Sequence, residues 1–172
     1  MPAQPPTPAD MVEAAASLWS RAGQQHWVPV AGNSMLPWLR PGDQLLVDHT
    51  AGPLRRGDVV VLRQGGGLLA HRLLRAEPWT RPQRLWTQGD HNRQPDAPVE
   101  TGMLLGRAVA IQHGGRTVRL DGPRWRAVNW LVAVSLLGFD QLVQPGRLAW
   151  PRRALGRAGR RLLSGFEFLA CR

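Results

Sequence analysis

The chain contains no lysine, and this absence limits the chemistry that its serines can perform. All 22 of its basic residues are arginines. The pKa of a guanidinium lies above about 12, so an arginine cannot accept a proton near neutral pH. A serine hydroxyl needs a neighbouring base before it can act as a nucleophile. In this chain the base must be a histidine, and the candidates are His26, His49, His71, His91 and His113.

Cysteine is almost absent too. The single Cys171 cannot form an internal disulfide, so the sequence does not require an oxidising compartment. With one cysteine, and with histidines that lack metal-ligand spacing, we expect no metal and no cofactor. Residues 1–28 contain no long apolar run, which argues against a signal peptide or a membrane anchor in that segment. We therefore expect a cytoplasmic protein.

Charge is distributed unevenly along the chain. Residues 1–121 contain 13 Arg and 10 acidic residues, whereas residues 122–172 contain 9 Arg and 2 acidic residues. A basic tail of this kind indicates an anionic partner or a solvated face. The sequence predicts three parts: a proline-rich start with a short helix (1–26), a β-rich body (27–121) and a helical, basic C-terminal region (122–172).

The predicted body consists of short apolar segments separated by turn residues. No long helical pattern interrupts them, which favours a mainly β, barrel-like or sandwich-like fold. Glycine pairs and Gly-Asp dipeptides mark the turns, and we expect Asp43 and Asp58 to cap two of them. The predicted strands cover residues 27–30, 44–48, 58–63, 68–76, 84–88, 104–113 and 117–120.

Helical periodicity occurs at both ends. A short amphipathic helix is predicted from Asp10 to Gly23. In the C-terminal region, a helix over 124–143 has an uncharged stretch too short to cross a bilayer, and a basic amphipathic helix begins near Pro151. The basic helix has two interpretations. It could contact anionic lipid, with tryptophans nearby, or pack its apolar stripe on the rest of the protein. The tryptophans are Trp125, Trp130 and Trp150.

Ser34 lies in the string Val-Ala-Gly-Asn-Ser-Met-Leu-Pro over residues 30–37. By itself this string could be a turn or a helix cap. Its significance comes from further segments that follow in a fixed order. They are Pro-Gly-Asp-Gln-Leu-Leu-Val at 41–47, Arg-Gly-Asp-Val-Val-Val-Leu at 56–62, Leu-Ala-His-Arg-Leu-Leu at 69–74, Thr-Gln-Gly-Asp-His-Asn at 87–92 followed by Asp96, and Leu-Gly-Arg-Ala-Val at 105–109.

This succession resembles the type I signal peptidase family, whose serine peptidases share a β-fold catalytic core with the self-cleaving LexA-like repressors. The resemblance covers residues 27–111 and implies a signal-peptidase/LexA-like, β-barrel-type core. Bacterial members usually carry Lys-Arg where this chain has His71-Arg72, whereas members of the endoplasmic-reticulum and archaeal type carry His-Arg. The chain is similar to the histidine type.

The resemblance also implies roles for individual residues. Ser34 would be the nucleophile, and its backbone N–H would donate to the oxyanion. His71 would be the general base, although a lone histidine on such a strand could also be a core residue. Asp96 matches the family's later acidic position better than Asp90, so we expect it to orient the imidazole, with Asp90 as the second candidate.

The loop around Ser34 is expected to form the substrate groove. Many family members have a serine two residues before the nucleophile, where this chain has Gly32, and Asn33 could compensate in the oxyanion hole. Trp38 could line a specificity pocket or fill the core, and the sequence does not separate these alternatives. The residues expected to contact the substrate are Met35, Leu36, Pro37 and Trp38.

The resemblance implies a serine endopeptidase that cleaves a peptide or protein precursor after small residues through an acyl-enzyme. A LexA-like self-cleaving or DNA-associated regulator is the alternative. It is disfavoured because those proteins rely on lysine and because few residues precede the core. A non-catalytic relic that only binds is the third possibility. The expected partners are the precursor and, peripherally, a membrane, but not nucleic acid.

Overall fold

A computed structural model describes residues 14, 15, 17–19, 25–50 and 52–142, except for the side chains of residues 139–142. Its architecture confirms the mainly β prediction: eight strands form one antiparallel sheet, and a helix follows them. The strands are β1 Gln25–Pro29, β2 Gln44–Asp48, β3 Val59–Gln64, β4 Gly67–Glu77, β5 Arg84–Gln88, β6 Val99–Glu100, β7 Leu104–His113 and β8 Arg116–Arg119.

Seven of these strands coincide with the segments predicted from apolar residues and turns. The sequence did not predict β6, which has two residues and pairs with β5. Two residues are too few to show the alternation that identifies a strand. A 3-10 turn, Thr101–Met103, joins β6 to β7.

The strands are hydrogen-bonded in the order β1-β2-β7-β3-β4-β5-β6, and β8 pairs with β7 outside this path. β3 and β4 form a tight hairpin through Gly65 and Gly66, whose φ angles are 61° and 73°. Two successive positive φ values suit the twist of a hairpin and favour glycine. The register of this hairpin places His71 opposite Val60.

Alternation along β3 and β4 sends side chains to opposite faces of the sheet. Val59 and Val61 join one buried hydrophobic cluster, whereas Val60 and Leu62 join another. Leu73 of β4 belongs to the second cluster. His71 precedes Leu73 by two residues on the same strand. Its side chain therefore points to the face of the sheet that carries the second cluster. Arg72, between them, points to the opposite face.

Two turns with the sequence Gly-Asp have the same hydrogen-bonding pattern. Gly42 and Gly57 have φ angles of 93° and 94°. In each turn the aspartate Oδ2 accepts the backbone N–H of the residue three positions earlier, at 2.8 Å for Asp43 and 2.7 Å for Asp58. The prediction that these two aspartates cap turns is confirmed.

The helix predicted after the sheet is present as α1, Pro123–Leu142. It begins with proline, which suits the first helical position because its missing N–H would have no intrahelical partner. Of the helix residues whose side chains are described, the buried ones are Asn129, Val132 and Ala133, and their spacing places them on one face of the helix. Among the described residues, no helix is long and apolar enough to cross a membrane.

The chain divides into two compact units, Met1–Leu137 and Gly138–Arg172. The predicted boundaries at residues 26 and 121 stay a prediction. The N-terminal helix predicted from Asp10 is represented by residues 14, 15 and 17–19, which are helical. The basic helix predicted from Pro151 lies outside the described residues.

Candidate active site

Ser34 lies in a short turn that follows β1. Backbone N–H groups donate back along the chain, from Leu36 to Asn33 O at 3.2 Å and from Leu39 to Met35 O at 3.0 Å. Met35 and Leu39 are almost fully buried in the first hydrophobic cluster. These two side chains anchor the turn to the core. Ser34, at the start of the turn, lies at the protein surface and is half-buried.

Ser34, His71 and Asp96 form a continuous line of hydrogen bonds. The Ser34 Oγ is 2.9 Å from His71 Nε2, and His71 Nδ1 is 2.5 Å from Asp96 Oδ2. An ionised carboxylate can only accept a hydrogen bond, so Nδ1 must carry a proton. In a neutral ring, Nε2 is then free to accept the proton of the serine hydroxyl. This arrangement can transfer a proton from the serine to the histidine.

Asp96 is held in place by Thr87 of strand β5. The Thr87 hydroxyl donates to Asp96 Oδ2 at 2.8 Å, and the Asp96 backbone N–H donates to Thr87 O at 2.8 Å. His71 itself is only 3 % exposed. Bulk water therefore has little access to the ring, and electrostatic interactions with the carboxylate are stronger than they would be in solvent.

Asp90, the second candidate for orienting the imidazole, lies elsewhere. Its two carboxylate oxygens accept Arg72 Nε and Nη2, both at 2.7 Å. Arg72 is 1 % exposed, so this is a buried, bidentate ion pair. The structure thus places Asp96 on His71 and Asp90 on the neighbouring arginine. Both aspartates follow Gly89 within a short segment, and the family resemblance favours Asp96 over Asp90 for the contact with the imidazole.

The segment after β5 contacts the backbone of Ser34 directly. The His91 N–H donates to Ser34 O at 2.8 Å. Gly89 packs so closely that a Cβ atom on it would lie 2.6 Å from Ser34 O and 2.9 Å from Ser34 Cβ. Real Cβ atoms do not approach this closely, so the absence of a side chain at position 89 determines where Ser34 can lie.

Replacing Gly89 with alanine is expected to displace Ser34 and lower its reactivity by about a hundredfold, because catalysis is sensitive to displacements near 1 Å. The rate of Ser34 modification by a fluorophosphonate probe measures this. Gly102→Ala is the matched control, because a Cβ there meets no atom within 4 Å. Equal rates for the two variants would show that the close contact at Gly89 does not position the serine.

The residues expected to contact substrate fall into two groups. Leu36, Pro37 and Trp38 are half-buried, and Trp38 meets Trp125 of α1 edge-on, with ring centroids 5.7 Å apart. Met35 is 2 % exposed within the first hydrophobic cluster. The Met35 side chain thus supports the turn from below, and a contact between Met35 and substrate stays a prediction.

The expected oxyanion hole lies at the same turn. Among the described residues, no acceptor takes the Ser34 backbone N–H. Asn33 is exposed, and its backbone carbonyl oxygen accepts the backbone N–H of Leu36. The backbone N–H of the predicted nucleophile is thus positioned to donate to an oxyanion that forms there.

Sequence reasoning did not assign roles to three residues that shape this site: Arg72, Thr87 and Gly89. All three lie within the ordered sequence motifs, but the motifs do not indicate which residue each side chain or backbone contacts. As for metals, no group of three or more His, Cys, Asp or Glu side chains in the described part of the chain could hold an ion.

Residues 3–81 match the model of the Peptidase S24-like family. The Peptidase S24-like match includes Ser34 and His71, whereas Asp90 and Asp96 lie beyond its end. The family includes LexA-type self-cleaving peptidases and signal peptidases, so the match supports the broader resemblance and a serine peptidase activity. It makes no specific assignment to type I signal peptidases. A search of curated proteins found no match.

Proposed function

We propose that the protein is a serine endopeptidase in which Ser34 is the nucleophile, His71 the general base and Asp96 the group that orients the imidazole. The observation that carries this proposal is the unbroken line from Ser34 Oγ through both ring nitrogens of His71 to Asp96. The similarity to Peptidase S24-like proteins over residues that include Ser34 and His71 supports the same reaction class.

In the proposed reaction, Ser34 Oγ attacks the carbonyl carbon of a peptide bond while its proton passes to His71 Nε2. The negative charge that develops on the carbonyl oxygen is stabilised by the Ser34 N–H. The carbon–nitrogen bond then breaks, and the imidazolium gives its proton to the leaving amine. Asp96 stabilises the imidazolium in the meantime.

The second half of the proposed reaction releases the acyl-enzyme formed on Ser34. A water molecule attacks the ester carbon and gives a proton to His71 Nε2. The ester bond to Ser34 Oγ breaks, His71 returns the proton to the serine, and a carboxylic acid leaves. General base catalysis of this kind contributes about a hundred- to ten-thousandfold in rate.

Several finer parts of the proposal rest on the sequence alone, and only cleavage after small residues comes from the signal peptidase resemblance. They are a dedicated precursor as substrate, cleavage after small residues, and peripheral membrane contact through the basic helix predicted from Pro151. Self-cleavage is the second candidate function, and the Peptidase S24-like match favours it because that family includes self-cleaving proteins. It would use the same three residues within one chain.

Cleavage of a mixed peptide library by the purified protein tests this proposal, with new termini identified by mass spectrometry. Wild type is expected to generate new termini, and Ser34→Ala none. Ser135→Ala is the matched control, since Ser135 Oγ donates to Val132 O within α1 and lies outside the Ser34–His71–Asp96 line. A library left uncut while the chain itself is cut at a rate independent of its concentration would favour self-cleavage. Equal cleavage by wild type and Ser34→Ala would refute both functions.

A further inference from the structure

The helix α1 contacts the buried arginine beside the candidate active site. Arg72 Nη1 donates to Asn129 Oδ1 at 2.9 Å and to Gly57 O at 2.8 Å. The other side of the guanidinium is occupied by Asp90. Asn129 is 8 % exposed. Asn129 is thus a buried, uncharged acceptor that fixes the orientation of the guanidinium opposite its carboxylate.

The backbone of α1 packs closely against Gly57. A Cβ on Gly57 would lie 2.5 Å from Asn129 O and 2.7 Å from Trp130 N. The helix backbone therefore occupies the space that any other residue at position 57 would need. Asn129 cannot move towards or away from Arg72 without moving this packed segment of α1.

The contacts continue from the arginine to the nucleophile. Asp90 lies between Gly89, which packs against Ser34, and His91, whose N–H donates to Ser34 O. Rotation of the Arg72 guanidinium would shift Asp90 and, with it, both of these contacts. Asn129 is therefore connected to Ser34 through its hydrogen bond to Arg72, the buried Arg72–Asp90 ion pair and the backbone hydrogen bond from His91.

A second contact links the same helix to the same turn. Trp125, four residues before Asn129, meets Trp38 edge-on at an interplanar angle of 83°. Trp38 lies in the turn that begins at Ser34, where its N–H donates to Met35 O. The helix thus contacts the Ser34 turn directly at Trp38 and indirectly through Arg72.

We propose that α1 positions the nucleophile, and that Asn129 is the positioning residue through which it acts on Arg72, Asp90 and Ser34. This inference rests on the proposed function, since it concerns the reactivity of Ser34. Asn129 acts through its hydrogen bond to Arg72 and not by direct contact with Ser34. Its contribution is to hold the Arg72–Asp90 pair, and hence the segment 89–91, in the one arrangement that aligns Ser34 with His71.

The test measures how fast a fluorophosphonate probe modifies Ser34 in the full chain, separating the maximal rate from the probe affinity. Asn129→Ala is expected to lower the maximal rate about tenfold, because small displacements of a nucleophile are costly, and to leave the affinity nearly unchanged. Asn129→Asp keeps an acceptor oxygen of the same size and position, and is expected to restore most of the rate.

Val132→Ala is the matched control for stability. Val132 is buried on the same face of α1, so its truncation loosens the helix without removing a hydrogen bond to Arg72. Asn129→Ala and Val132→Ala are both expected to lower the melting temperature, but only Asn129→Ala should slow labelling. If both slow labelling equally, or if neither does, the positioning role is overturned. If wild type itself is not labelled, the proposed function fails and this inference falls with it.

Discussion

Replacing His71 with glutamine is expected to lower peptide cleavage by at least about a thousandfold, because removal of the general base leaves the serine hydroxyl without a proton acceptor. Glutamine is similar in size and can hydrogen-bond, but its amide is not basic. No arginine can replace the base, and the chain contains no lysine. The kcat/KM of wild type and variant on the same cleaved peptide measures the loss.

His113→Gln is the matched control for this substitution. The His113 ring is exposed and contacts Asp43, in a turn cap outside the Ser34–His71–Asp96 line. This variant is expected to retain nearly the activity of wild type. Retention of turnover by His71→Gln would mean that another group takes the proton of Ser34, and the proposed mechanism would be wrong.

Replacing Asp90 with alanine is expected to lower the free energy of unfolding by about 3–5 kcal/mol, because it leaves a buried positive charge without its partner. Arg72 is 1 % exposed, and both oxygens of Asp90 bind it. The remaining acceptors, Gly57 O and Asn129 Oδ1, are uncharged and cannot neutralise it. Denaturant unfolding measures the effect.

Asp96→Ala is the informative comparison. It removes an acceptor from the His71 ring and the Thr87 hydroxyl and leaves no arginine without its partner, so the expected loss of stability is only about 1–3 kcal/mol. The two variants should therefore differ in how much they lower the free energy of unfolding. Asp90→Ala strongly destabilises the fold and, through the segment 89–91, also slows the reaction, whereas Asp96→Ala slows the reaction with the smaller loss of stability. Equal losses of stability would contradict the separation of roles between the two aspartates.

The sequence predicted most of the strands because their determinants are local. Apolar alternation and the Gly-Asp turns at Asp43 and Asp58 lie within a few residues of the strands they delimit, and both features are present in the fold. The association of Ser34 with His71 was implied by the family resemblance that the ordered motifs carry, whereas the absence of lysine required only that the base be a histidine. Both arguments need only the identity of the residues.

What the sequence did not predict depends on the meeting of distant segments. The resemblance favoured Asp96 as the partner of His71, but no sequence pattern indicated that the chain after β5 brings Asp90 to Arg72. Met35 was expected beside the substrate groove because it follows Ser34. No local pattern indicated that the turn directs its side chain into the core, next to Leu39. Asn129 belongs to α1, and no local sequence pattern indicates that this helix packs against Gly57.

The most direct test of the central claim is to treat the purified protein with a fluorophosphonate probe and locate the adduct by tandem mass spectrometry. A serine that shares its proton with an oriented imidazole reacts with such a probe, whereas an ordinary serine does not. The expected result is one adduct on Ser34 in wild type and none in His71→Gln. An unmodified Ser34 in folded wild-type protein, or equal modification in both proteins, would contradict the account.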